Sequence, residues 1–306
     1  MSDNHLAFIF PAFTSDYSDH PGQNAPEFND RFGKFLVRAA DLIDPELAGF
    51  DFTEKTFLQD ELRTQYITFI YSCTISELLR REGYSPVITA GYSMGIYAAL
   101  FDAGSISYET GLLLIRSAYQ SLQGSLNNES YSMGALIGLS DTDIQELIDH
   151  HHLRIEITNQ NASHSFVVSG YRDDIQILMQ LAREQGALHV RDLAVSIPYH
   201  SSYLKEGAMD FSGKTIYLNI SAPKSQLFSL IDQTLLSTAD STRQETVRNL
   251  YQPLNWYLTM QILLYQNITH YIECGPSTGL GKNAKFVNGI KFSPLPSILR
   301  GSGAKF

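Results

Sequence analysis

Residues 88–100 read ITAGYSMGIYAAL, and this stretch constrains the fold more than any other. A β-branched run, Val87-Ile88-Thr89, leads into Gly91-Tyr92-Ser93-Met94-Gly95, and Ile96–Leu100 leads out with the character of a helix. A sharp strand-to-helix turn of this kind holds a serine hydroxyl at a helix N-terminus. Small residues two positions before and after it let the backbones approach. Taken alone, the pattern leaves two readings open: a nucleophile elbow, or a serine that happens to lie between two glycines.

Around this turn the chain reads as alternating strands and helices. LAFIF is a first strand closed by Pro11, and helices are expected near Phe28–Ile43 and Thr64–Arg81. Another helix, in YETGLLLIRSAYQSLQ, ends at Gly124 and the polar loop GSLNNESYS. The texture then changes. MGALIGL, SDTDIQELIDHH, LRIEITNQNA, SFVVSG, YRDDIQILMQLAREQG and ALHVRDL follow in the order βαββαβ, the ferredoxin-like pattern. This predicts a discontinuous larger α/β unit over 1–130 and 197–306, interrupted by a ferredoxin-like subdomain over 131–196. After the insert, KTIYLNIS reads as a strand, 241–266 as a helix and HYIEC as a strand.

Composition removes several classes of function. A formal charge of −10 disfavours nucleic acid as a partner, and no apolar run approaches a membrane span. The opening MSDNHLAFIF lacks the regions of a signal peptide, so a cytoplasmic protein is expected. Cys73 and Cys274 lack metal-ligand spacing and read as buried, reduced thiols. Charge is uneven: twelve acids and four bases fall in residues 1–62, whereas five bases and no acid fall in residues 274–306. The basic stretch is either an ordinary solvated tail or a local surface for an acidic partner or for phosphates.

Nine histidines are candidate partners for Ser93. His150, His151 and His152 end an amphipathic helix and face water; no carboxylate or cysteine stands at a spacing that would make them metal ligands, so no metal is expected. His5, His20, His164, His189 and His270 carry no motif. His200 lies in VSIPYHSS, where Pro198 stiffens the approach to a polar run.

Together, GYSMGIYAALFDAGSISYE, NQNASHSFVVSG, VSIPYHSSYL, YQPLNW and YIECGPSTGL resemble the malonyl-CoA:acyl carrier protein transacylase family, in the family's order and across nearly the whole chain. The resemblance implies an α/β-hydrolase-like core carrying the ferredoxin-like insert, and an acyltransferase that passes an acyl group from coenzyme A to carrier-protein phosphopantetheine. Ser93 and His200 fall on the family's nucleophile and base. Asn255 falls where a backbone carbonyl orients that base. Met94 and Phe13 would supply the two backbone N–H donors of an oxyanion hole. Gln65 matches a glutamine near the active site, and Asn161 an asparagine along the pantetheine path. No bound cofactor is implied; acyl-CoA and an acyl carrier protein are the partners. A hydrolase of the same lineage, clearing acyl groups from carrier proteins, is the alternative.

The chain also departs from that family. Its FPAFTSD (10–16) stands where the family has FPGQGSQ, so Phe13 replaces glutamine. Ala118 takes the position of the arginine that binds the malonyl carboxylate. Arg116 sits two residues early, about 200° around the helix. The expectation is a lost carboxylate clamp and an apolar space at Ala118 suited to an uncharged acyl chain. Tyr92 stands where histidine is common, and Tyr199 is expected to narrow the acyl pocket.

Overall fold

The computed structural model describes residues 4–14, 17, 25–53, 57–126, 129–276 and 278–295. The buried strand β1 (Leu6–Phe10) is followed by helices α1 (Pro26–Leu42) and α2 (Glu61–Arg81). Pro26 starts α1, where its missing N–H costs nothing, and Phe28, Phe32, Phe35, Leu36 and Ala39 form the buried face. The carboxylate of Asp60 caps α2 by accepting from the Arg63 N–H. The strand β2 (Ile88–Gly91) then leads through the serine turn to α3 (Ile96–Asp102) and α4 (Tyr108–Ser125).

β3 (Tyr131–Ile137), α5 (Asp141–His150), β4 (Ile155–Ala162), β5 (Ser165–Tyr171), α6 (Arg172–Glu184) and β6 (His189–Asp192) come next. The C-terminal stretch contributes α7 (Lys205–Thr215), β7 (Gln226–Phe228), β8 (Leu235–Leu236), α8 (Ala239–Arg248), β9 (Leu254–Asn255), α9 (Trp256–Tyr265), β10 (His270–Glu273), α10 (Gly279–Ala284) and β11 (Lys291–Ser293).

These strands form two sheets. One runs β11-β10-β1-β2-β7-β8, parallel except for the last pair, with β1 and β2 at its centre. The other runs β6-β3-β5-β4-β9; its first four strands are antiparallel and β9 joins in parallel. Leu136, Ile144, Phe166, Val168, Ile175 and Leu178 form a core beneath the second sheet, separate from the aromatic-rich core around α1, α2 and α4.

Two elements differ from the sequence reading. Residues 214–221 are not a strand: α7 runs to Thr215, and Ile216 and Tyr217 are exposed. The place beside β2 is taken by Gln226–Phe228, because a short apolar run does not say which of two neighbouring segments will reach a sheet edge. The helix expected over 241–266 is two helices. Pro253 lacks an N–H and biases Gln252 away from helical backbone, and β9 forms between them. Cys73 and Cys274 are buried and free.

Candidate active site

The turn after β2 forces Ser93 into left-handed backbone, φ 54°. Its two glycines are steric necessities. A Cβ on Gly91 would lie 2.4 Å from the Ile96 backbone, and one on Gly95 would lie 2.2 Å from the Phe10 carbonyl oxygen. The elbow is braced from below by Asp102 at the end of α3. Its fully buried carboxylate takes two hydrogen bonds from Arg80 of α2, each 2.7 Å, and one from the Thr89 hydroxyl of β2 at 2.8 Å. Three elements that meet at Ser93 are thereby tied to one side chain.

His200 arrives from the loop after β6. Its own N–H donates to the Leu250 carbonyl, while the Ser169 hydroxyl of β5 donates to the carbonyl of Tyr199. Held from both sides, His200 adopts φ 63° and sets Nε2 2.7 Å from Ser93 Oγ. Asn249 adds a tie by donating from Nδ2 to the Ser93 carbonyl at 3.2 Å. Burial lowers the imidazole to about 4, and the backbone carbonyls of Asn249 and Gln252 hold back part of that shift. Nδ1 has no well-formed hydrogen bond among the described residues.

Asn255 therefore does not orient this histidine as the sequence reading had it. Its carbonyl accepts from Gln233 Nε2 and Thr259 Oγ1, and its side chain caps α9 and binds Gln160. The carbonyls that act on His200 lie three and six residues upstream, because the chain turns back between α8 and β9.

Ser93 and His200 open onto a cavity of about 360 Å³, also lined by Phe13, Tyr92, Met133, Asn159, Arg191, Tyr199 and Glu61. Phe13 and Tyr199 meet edge to face on its wall, ring centres 6.2 Å apart. Gln65 is buried behind them and donates to the Tyr199 hydroxyl at 2.8 Å. It borders a second void of about 10 Å³, with Phe13, Phe69, Met94 and Ile115.

Ala118 is buried but lines neither space, so the open apolar pocket expected beside it is absent from them. Arg116 lines neither space, and its charge acts on the Tyr66 hydroxyl instead. Asn161 also stays out of the cavity. Its Oδ1 accepts from the Tyr92 hydroxyl, which itself accepts from Asn159 Nδ2, and it is Asn159, itself buried, that lines the cavity.

Sequence reading missed Glu61, Asn159 and Asn249. For Glu61 a signal existed: it stands four residues before Gln65, hence on the same helix face. Among the described residues, no three His, Cys, Asp or Glu side chains form a cluster that could hold a metal ion.

No family model matches the chain. The malonyl CoA-acyl carrier protein transacylase of Staphylococcus aureus (strain MRSA252) is 28% identical over 296 residues, covering 91% of this chain and 94% of that protein. The enzyme of the same name from Bacillus subtilis (strain 168) is 24% identical over 289 residues, covering 92% and 90%. The crystal structure of FabD from Acinetobacter baumannii superposes with a TM-score of 0.84 at 27% identity, covering 97% of this chain and 96% of that one. The chain is similar to malonyl CoA-acyl carrier protein transacylases in sequence and in fold along more than nine-tenths of its length.

The fold is also shared with a structure of lower identity. A type II PKS acyl-carrier protein in complex with its malonyl-transacylase, PlMCAT:AntF, superposes with a TM-score of 0.84 at 22% identity, covering 96% of this chain and 97% of that one.

Proposed function

We propose that this protein is an acyltransferase that moves an acyl group between coenzyme A and the phosphopantetheine thiol of an acyl carrier protein through an acyl-Ser93 intermediate. The observation that carries this reading is the 2.7 Å contact between Ser93 Oγ and His200 Nε2 on the cavity wall, in a chain similar to malonyl CoA-acyl carrier protein transacylases along more than nine-tenths of its length. The core over 1–130 and 197–306 is read as α/β-hydrolase-like. The unit over 131–196 is read as ferredoxin-like, a reading supported by its strand order β6-β3-β5-β4 and two helices.

In this mechanism His200 carries its proton on Nδ1 and accepts the Ser93 proton at Nε2 as Oγ attacks the thioester carbonyl. The negative charge that develops on the carbonyl oxygen is held by the backbone N–H groups of Met94 and Phe13. As the carbon–sulfur bond breaks, the imidazolium returns the proton to the departing thiolate, leaving coenzyme A and a serine ester. The carrier-protein thiol then attacks the ester, His200 takes that thiol's proton, and Ser93 Oγ leaves with it. A buried imidazole resists charging, so it passes the proton on quickly in both halves. No bound cofactor enters either half-reaction. Lys282, Lys285 and Lys291 are exposed and would meet the acidic face of a carrier protein or coenzyme A phosphates; Arg300 and Lys305 of the same basic stretch lie outside the described residues.

The test is intact-protein mass spectrometry after mixing with acyl-CoA, followed by addition of holo carrier protein. A mass increase equal to one acyl group, absent in Ser93→Ala and lost to the carrier protein, is expected. Acylation that persists in Ser93→Ala, or release only as free acid, overturns the reading. None of the relatives named above is a hydrolase.

A further inference from the structure

The cavity beside Ser93 carries a carboxylate where an acyltransferase selecting malonyl would need a cation. Glu61 and Gln65 lie one turn apart on α2 and engage the same phenol: Tyr199 donates to Glu61 Oε1 at 2.7 Å and accepts from Gln65 Nε2 at 2.8 Å. The other Glu61 oxygen has only long contacts, 3.3 Å from the Ser196 hydroxyl and 3.4 Å from its N–H. Gln65 is 2% exposed, and its Oε1 is buried with no hydrogen-bond partner among the described residues. Glu61 therefore keeps spare accepting capacity on the cavity wall, next to the residue that precedes His200, whereas Gln65 stands behind Tyr199, outside that lining.

The Glu61 charge is not met by a neighbouring cation. The cavity's other charged lining residue is Arg191, which is exposed on β6, and Arg116 and the Ala118 position lie outside the lining. A free carboxylate entering this space would meet Glu61 as a like charge and find no buried partner, whereas a protonated amine would satisfy the Glu61 oxygen that has only long contacts. Burial pushes the Glu61 carboxyl above its ordinary range, as expected for an acid that lacks such a partner.

We propose that Glu61, held by Tyr199 on the wall of the Ser93 cavity, is the acceptor for the distal ammonium of an aminoacyl group, and that aminoacyl thioesters are preferred over malonyl and over neutral acyl groups of the same length. The proposal rests on the acyl-transfer reading of Ser93 and names its substrate class.

The test uses four CoA thioesters of matched length, 3-aminopropionyl, 3-hydroxypropionyl, propionyl and malonyl, with the rate of acyl-Ser93 formation read by intact mass. At least a tenfold preference for 3-aminopropionyl over propionyl is expected, and the ratio of those two rates should fall at least tenfold in Glu61→Gln. The glutamine keeps the size of the side chain and its place in the first turn of α2; Gln65→Leu, which removes the donor that helps hold the Tyr199 hydroxyl against Glu61, should lower the same ratio. Preference for malonyl or 3-hydroxypropionyl, or a ratio unmoved in both variants, overturns this proposal while leaving acyl transfer intact. Failure of all four thioesters to load Ser93 overturns the acyl-transfer reading and this proposal with it.

Discussion

Ser93 and His200 face each other at 2.7 Å with both backbones in the left-handed region, φ 54° and 63°. Neither conformation is one a residue of its type adopts without compensation, and each costs of order 1–3 kcal/mol. The compensation is visible on both sides: two glycines and the Asp102 brace beneath Ser93, and the Leu250 and Ser169 hydrogen bonds around His200.

Gly95→Ala tests the first of these. Its Cβ would fall 2.2 Å from Phe10 O, and backbone cannot give way as a side chain would. A loss of about 3 kcal/mol in urea unfolding is expected, together with loss of acyl-enzyme formation. Wild-type stability in this variant would show that β1 and the turn can separate.

Asp102→Ala should be as harmful without touching the cavity. It leaves Arg80, Ser76 and Thr89 without their shared acceptor. Breaking a buried pair costs about 3–5 kcal/mol, and the lower end applies because Arg80 is 33% exposed. Chemical denaturation measures it; a change under 1 kcal/mol would mean that water replaces the carboxylate.

The pH profile of serine acylation follows from His200. With the imidazole at about 4, the neutral base survives well below the ordinary histidine range. Acylation should hold from pH 7 to about 5 and fall by half near 4. An inflection near 6.5 would contradict the burial.

Glu245 supplies a stability test far from the chemistry. Burial raises its carboxyl to about 7 despite a hydrogen bond from Ser229. The unfolded chain releases this proton near 4.5, so folding is favoured below that pH and weakened as pH rises to 7. The pH-dependent part is on the order of 3 kcal/mol. Glu245→Gln should flatten Tm against pH over this window and raise Tm at pH 8; an unchanged slope would assign the dependence to other groups.

What the sequence determined is local or carried by pattern. The glycine–serine turn between β2 and α3, the amphipathic face of α1 and the βαββαβ order of 131–192 follow from steric rules and periodicities spanning a few residues. Ser93 and His200 were named through the family resemblance, 107 residues apart. Tertiary structure decided which groups meet. It set the carbonyls of Asn249 and Gln252, rather than that of Asn255, against His200. It also joined Glu61 to Tyr199 across 138 positions. Such contacts depend on how distant elements pack, and a chain's periodicity holds no record of the angle at which two buried faces come together.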